Sequence, residues 1–241
     1  FNELENYQPY RLIDSFESAI MEEINFKREA ININRFHENF KKDERIYVPK
    51  VYQEMCTHKL ICMEEVRGTK ISDVDELRRK HEIKFDELAA LGTDLYFKQI
   101  FEHGFFHADP HPGNIFILDN GQVCFLDFGI MGSFLPEEQD DLAELMIHMS
   151  RKNINRVSHT LQKMAISSSI PNERAFERDL HEMLEVFETV SLDEFPMSDR
   201  LQRFRNILTE NTIELSRNYY LLMRSMAALE GVPQQLHPHS H

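Results

Sequence analysis

Between His107 and Gly129 the chain cannot form one continuous helix. Pro110, Pro112 and Gly113 fall within four positions, and proline inside a helix removes a backbone donor and clashes with the preceding turn. Asp119-Asn120-Gly121 follows, a run that accepts the left-handed backbone of a tight turn. Residues 115–118 and 123–126 on either side of it are apolar and rich in β-formers. The segment therefore reads as a rigid loop, a hairpin and then Asp127-Phe128-Gly129. Most of the flanking sequence has helical periodicity, so the expected class is α+β, mostly α, built around one hairpin.

Upstream, Leu12, Phe16, Ile20 and Ile24 recur every fourth residue, which places them on one helical face and predicts one long helix over residues 12–40, with room for a kink. Residues 47–52 and 60–66 are rich in β-formers and flank Cys56-Thr57-His58-Lys59, the pattern of an antiparallel strand pair. Pro49 makes the first of these an edge strand. Residues 73–103 return to helical spacing, with Phe85, Leu88, Leu91 and Leu95 on one side and Gly104 placed to end the helix. Pro136 opens a helix expected to run to about residue 164, and two or three amphipathic segments follow. The expected division is a partial first lobe over residues 1–66 and a helical second lobe over residues 67–241.

Forty-one acidic against 27 basic residues give a formal charge of −14. With no strong basic cluster, that charge repels a phosphate backbone, so nucleic acid is not an expected partner. Cys56, Cys62 and Cys124 lie in apolar runs without metal-ligand spacing, which suits buried thiols in a reducing compartment. No run approaches the roughly 18 apolar residues of a spanning helix, and the first residues lack a signal-peptide pattern. The expected location is cytoplasmic, with peripheral contact at the inner face of a membrane. The chain reads as a piece of a longer protein.

The chemistry concentrates in two places. His107-Ala108-Asp109-Pro110-His111-Pro112-Gly113-Asn114 puts a carboxylate and an amide five positions apart, and Asp127 comes thirteen residues after Asn114. Phosphoryl transfer asks little covalent work of a protein; it needs positioning and neutralisation of charge by Mg²⁺. Asp109 suits the orientation of an attacking hydroxyl or water, and Asn114 and Asp127 suit a hard cation. The hairpin between Asn114 and Asp127 brings the two ends together. His103, His107 and His111 recur every fourth residue, yet Gly104, Pro110 and Pro112 break the helix that a zinc site of that spacing requires. His107 is instead expected to anchor the loop, with His111 beside Asp109.

These stretches resemble the UbiB/AarF family of atypical, protein-kinase-like kinases, whose members support ubiquinone and isoprenoid-lipid metabolism. The resemblance extends to Glu23-Ile24-Asn25-Phe26-Lys27-Arg28-Glu29-Ala30, Asn34-Arg35-Phe36, Val48-Pro49-Lys50-Val51-Tyr52, Met63-Glu64-Glu65-Val66-Arg67-Gly68 and Leu229-Glu230-Gly231-Val232. It implies a kinase-like fold that uses ATP and Mg²⁺. It also implies that Glu29 pairs with a strand lysine that grips the phosphates, and that Glu23 belongs to an inhibitory arrangement near the nucleotide. The Glu64 carbonyl and the Val66 amide would bond adenine, with Met63 behind the ring. Asn25 stands where the family usually has Asp, and an amide cannot supply that charge.

Three features of this sequence depart from the family. The Lys-x-Gly-Gln segment, Ala-rich nucleotide loop and Val-Ala-x-Lys strand are not among these 241 residues, and Lys27 is the one lysine before Glu29. These residues by themselves are therefore expected to turn ATP over weakly. The strongly hydrophobic C-terminal helices of many bacterial members are missing, and no Ala-Pro-Glu follows Asp127-Phe128-Gly129. The expected function is an ATP- and Mg²⁺-dependent kinase or ATPase of the UbiB type, with an isoprenoid lipid, a quinone precursor or partner enzymes as its other ligands. The alternatives are an aminoglycoside- or choline-type phosphotransferase, whose loop also carries His-x-Asp-x-x-x-x-Asn before a second Asp, and a nucleotide-binding pseudokinase scaffold.

Overall fold

The computed structural model describes residues 25–81 and 84–236. In chain order, helix α1 (Phe26–Phe40) is followed by strand β1 (Gly68–Lys70), helices α2 (Val74–Lys80) and α3 (Phe85–Phe97), and strands β2 (Phe105–His107), β3 (Ile115–Leu118), β4 (Val123–Phe125) and β5 (Met131–Ser133). Helices α4 (Pro136–Ser150), α5 (Ile154–Met164), α6 (Glu173–Thr189), α7 (Met197–Glu210) and α8 (Arg217–Leu236) complete the described residues, and Ser167–Ser168 pairs with Ile213–Glu214. The chain folds as two compact units, Phe1–His81 with Gly113–Met131 and Glu82–Pro112 with Gly132–His241. The units interleave along the chain, whereas the sequence reading divides it once, after Val66.

In the first unit, α1 buries Ala30, Ile33, Phe36 and Phe40, a stripe at three- and four-residue spacing. Phe36 lies 6.0 Å from Phe125 and 5.1 Å from Phe128, both edge-on, and 4.8 Å from Phe40. Burying an aromatic ring of this kind contributes about 1.5–3 kcal/mol, and edge-to-face pairs add to that. Of the helix expected over residues 12–40, the described part begins at Phe26, capped by Asn25, whose backbone is extended and whose side chain accepts from the Lys27 amide at 3.2 Å. Asparagine favours this capping role because its oxygen satisfies an amide that the helix leaves open. Leu12, Phe16, Ile20, Glu23 and Ile24 lie outside the described residues.

The expected hairpin is present. β3 pairs with β4 in antiparallel register, Ile115 opposite Phe125 and Ile117 opposite Val123. Gly121 takes φ +88° in the turn, and its amide donates to the Leu118 carbonyl at 2.8 Å. The third strand of this sheet is β1, which pairs with β3. That corrects the expected sheet over residues 47–66. The Val51–Met63 bridge is isolated, supported by Tyr52 N–H to the Cys62 carbonyl at 2.9 Å and Glu64 N–H to the Lys50 carbonyl at 2.7 Å, and a short helical turn, Gln53–Met55, interrupts the pair. Pro49 lacks the amide that a continuous ladder requires; Tyr47 instead donates to the Val123 carbonyl, at 2.8 Å.

The single helix expected over residues 73–103 is two. His81 is extended, at φ −128° and ψ 133°, after Arg78-Arg79-Lys80, a polar run with no apolar side chain to hold it against a core. After α3 the helix widens over Lys98–His103 and stops at Gly104, as expected from the sequence. A second break divides the helix expected from Pro136 to 164: Lys152 is left-handed, at φ +52°, and Asn153 caps α5 by accepting from the Arg156 amide.

The second unit packs successive helices around Leu95, Phe106, Val157, Leu161, Phe176, Leu180 and Leu208, each fully buried. Arg200 donates to the Phe187, Val190 and Phe195 carbonyls and so closes the end of α6. Glu230 accepts from the Met197 and Ser198 amides at 2.7 and 3.0 Å, which caps α7 from a position far along the chain.

Gly104 tests the junction after α3. Its φ is +61°, and a Cβ there would stand 2.7 Å from the Phe134 carbonyl oxygen. The left-handed conformation alone costs a non-glycine residue about 1–2 kcal/mol. Gly104→Ala is therefore expected to lower unfolding stability by at least about 2 kcal/mol once the clash is added. Urea unfolding followed by circular dichroism measures it, and an unchanged midpoint would show that the junction relaxes freely.

Candidate functional site

Within the first unit the hairpin joins two of the expected site residues. Leu126 N–H donates to the Asn114 carbonyl at 2.8 Å, so Asn114 and the Leu126-Asp127 step face each other at the open end of β3 and β4. Asp127 is exposed and left-handed, at φ +58°, and its Oδ1 accepts from the Gly129 amide at 3.3 Å. A non-glycine residue in that region carries about 1–3 kcal/mol of strain and needs its surroundings to hold it.

Those surroundings come from α1. Glu29 Oε1 accepts from the Phe128 amide at 3.1 Å, and Asn32 Nδ2 donates to the Phe128 carbonyl at 2.9 Å. The Phe128 ring is fully buried against Phe36. Glu29, Asn32 and Phe36 stand at i, i+3 and i+7, which is one face of a helix. The residue immediately after Asp127 is thus fixed by two backbone hydrogen bonds and by its ring. Burial raises the pKa of Glu29 above its ordinary 4.5; the Phe128 hydrogen bond works against that, and the nearby Asp127 charge adds to it.

The resemblance assigns Glu29 to a lysine. In the structure its carboxylate holds the Asp-Phe-Gly backbone, and among the described residues it forms no ion pair with a lysine. Asn32 was not singled out from the sequence. Its signal was available as a polar residue three positions after Glu29 on the face that carries Phe36.

Glu64 is half-buried, and its carboxylate accepts from the Tyr47 hydroxyl. This bond, with some burial, pushes the Tyr47 pKa up to about 12. The Glu64 side chain therefore ties down the extended pair. Among the described residues its carbonyl and the Val66 amide have no hydrogen-bond partner. Glu23 lies outside the described residues.

In the second unit, Asp109 follows a firmly anchored histidine. His107 is fully buried; its amide donates to Gln99 Oε1 at 2.9 Å, and its carbonyl accepts from Ser225 Oγ at 2.9 Å. His107 Nδ1 accepts the Asp109 amide at 3.1 Å, which fixes the start of the loop. His111 Nε2 lies 3.9 Å from Asp109 Oδ2. Gln99 and Ser225 were also not singled out. Buried amides and hydroxyls carry little sequence signature when their partners are backbone groups.

Asn114 and Asp127 fit a magnesium ion by donor type. One amide oxygen and one carboxylate form the sparse set with which proteins hold this ion, substrate phosphates and water completing the shell.

Comparison with known proteins assigns the fold and then the family. The chain resembles the solved structure of Rv3197 from Mycobacterium tuberculosis in complex with erythromycin, with a TM-score of 0.62 and 20% identity over 93% of this chain and 57% of that one. This supports a protein-kinase-like fold of mostly helical α+β class. Residues 1–161 match the ABC1 atypical kinase-like domain, and the chain belongs to that family, the UbiB/AarF group of the sequence reading.

Proteins described as probable protein kinase UbiB are 30% identical in Pseudomonas aeruginosa, over 98% of this chain and 45% of the relative, and 31% identical in a Shewanella species, over 96% and 43%. A Clostridium pasteurianum protein known only as uncharacterised, from the hydrogenase 1 5′ region, is 29% identical over 95% of this chain and 43% of its own length. The chain thus spans a little under half the length of these relatives. Among the described residues, no helix is long and apolar enough to cross a membrane.

The Glu29 carboxyl makes a pH-dependent prediction. Its folded-state pKa is raised above 4.5, so the native state holds the proton more tightly than the unfolded chain. Stability from this group is present below that value and is lost as pH rises through the folded pKa. Glu29→Gln keeps an oxygen to accept the Phe128 amide and stays neutral. Its stability relative to wild type is expected to rise across a urea-unfolding series from about pH 4 to about pH 8. Parallel profiles for the two proteins would rule out this burial of charge.

Proposed function

We propose that this chain forms part of an ATP- and Mg²⁺-dependent kinase or ATPase of the UbiB type, supporting ubiquinone or other isoprenoid-lipid metabolism from the inner face of a membrane. The observation that carries the reading is the clamp of Glu29 and Asn32 on Phe128, which holds Asp127 strained at the end of the hairpin that also presents Asn114. Strain maintained by polar contacts on both sides is a feature of working sites. Asn114 and Asp127 would hold the metal, and Asp109 would orient the attacking hydroxyl or water. The Glu64 carbonyl and Val66 amide would meet adenine. Bound Mg²⁺ would neutralise charge on the transferring phosphate.

A pseudokinase scaffold has one specific observation in its favour: the Glu29 carboxylate is occupied by a backbone amide. The complex of Rv3197 with erythromycin adds macrolides to isoprenoid lipids and quinone precursors as small molecules to test on this chain.

The test is a calorimetric ATP titration with and without Mg²⁺, followed by a phosphate-release assay, on the full-length protein that contains this chain, as wild type, Asp127→Asn and Asp109→Asn. Asp127→Asn is expected to abolish the Mg²⁺-dependent part of binding, because it removes the charge that holds the metal. Asp109→Asn should keep binding and lose turnover by about 10²-fold or more. Full turnover by Asp127→Asn would remove it from the metal site. Metal-dependent binding without phosphate release by wild type would favour the scaffold.

A further inference from the structure

In the second unit, helices α3, α4, α7 and α8 surround a cavity of about 500 Å³, well inside the roughly 300–1,000 Å³ range of ligand sites. Its wall includes Met146, Met149, Met164, Met197, Met223 and Met226, six of the chain's eleven methionines. Unbranched thioether side chains repack readily around irregular apolar shapes, and an apolar cavity gives water few hydrogen-bond partners. Phe97 and Met146 in the same wall are 41% and 43% exposed, so the cavity is open to solvent.

Among the described residues, one cation stands in this wall. Arg200 is 7% exposed, and its guanidinium carbon lies 5.1 and 5.6 Å from the Phe187 and Phe195 rings. Its three hydrogen bonds, to the Phe195, Phe187 and Val190 carbonyls, all end on neutral acceptors, and among the described residues it has no carboxylate partner. A guanidinium carries five N–H groups, so donors remain after those three bonds. A buried charge without a counter-ion is costly, and an anion arriving with a ligand would remove that cost through strong, charge-assisted bonds.

We propose that this cavity binds a single-chain anionic amphiphile, its hydrocarbon chain among the methionines and its head group on Arg200. The lining includes none of the residues proposed for phosphoryl transfer, and the proposal does not depend on that reading. A fatty-acid carboxylate and an alkyl phosphate share the chemistry that a planar guanidinium recognises.

The experiment is calorimetric titration of the chain with oleate, dodecyl phosphate and oleyl alcohol, each below the concentration at which it forms micelles. Both anions are expected to bind one per chain and at least about tenfold more tightly than the alcohol; the tighter anion distinguishes a carboxylate from a phosphate ligand. Met149→Trp, which fills the cavity, should abolish binding of both anions. Arg200→Met should remove the preference over the alcohol; because Arg200 also closes α6, Met149→Trp decides the question if that variant does not fold. Failure of either anion to saturate, equal affinity for the alcohol, or unchanged binding by Met149→Trp would overturn the proposal. So would dimerisation abolished by Met149→Trp in the absence of amphiphile binding, since the cavity would then seat a second copy of the chain.

Discussion

Phe128 is held on both sides of its backbone by one helix. Its amide donates to Glu29, its carbonyl accepts from Asn32, and its ring lies against Phe36. The next residue back, Asp127, can remain left-handed because the chain after it has nowhere else to go. The strain, about 1–3 kcal/mol for such a residue, is small beside the loss of two half-buried hydrogen bonds and a ring from the core. The same helix face thus fixes the core of the first unit and the backbone on which its candidate metal ligand depends. A charge is part of that arrangement. Glu29 is half-buried and near Asp127, which is why its proton is held more tightly than usual.

The second unit fixes the backbone beside its own candidate residue in a related way. His107 is buried, with its amide, carbonyl and ring all hydrogen-bonded, so Asp109 leaves from a fixed point. In both units a polar residue expected to act on a ligand adjoins one held by backbone hydrogen bonds. Loops that must present a side chain in one orientation need such support, because a free loop would spend its binding energy on ordering itself.

Away from these anchors the helices of the second unit are joined by polar devices distant in sequence. Glu230 caps α7 and Arg200 closes α6. Both are charged side chains directed at helix ends, where open amides and carbonyls attract them. Among the described residues Arg200 does this without a carboxylate partner, in the wall of an apolar cavity.

The local sequence determined the hairpin, its turn and the stop at Gly104, since each rests on the backbone preferences of a few adjacent residues. Asp119-Asn120-Gly121 needs no distant partner to turn, and Gly104 ends its helix because glycine alone takes φ +61° freely. The family was legible too, in motifs spread over most of the chain. Where each helix breaks was not. Residues 73–103 and 136–164 carry enough periodicity for continuous helices, but Asn153 caps one and Arg78-Arg79-Lys80 gives the other nothing to pack. The strand that joins the hairpin came from residues 68–70, because pairing depends on which edge is available in space. The partner of Glu29 was likewise decided by tertiary structure: a carboxylate bonds the nearest buried donor, and ninety-nine residues of sequence separate it from the Phe128 amide.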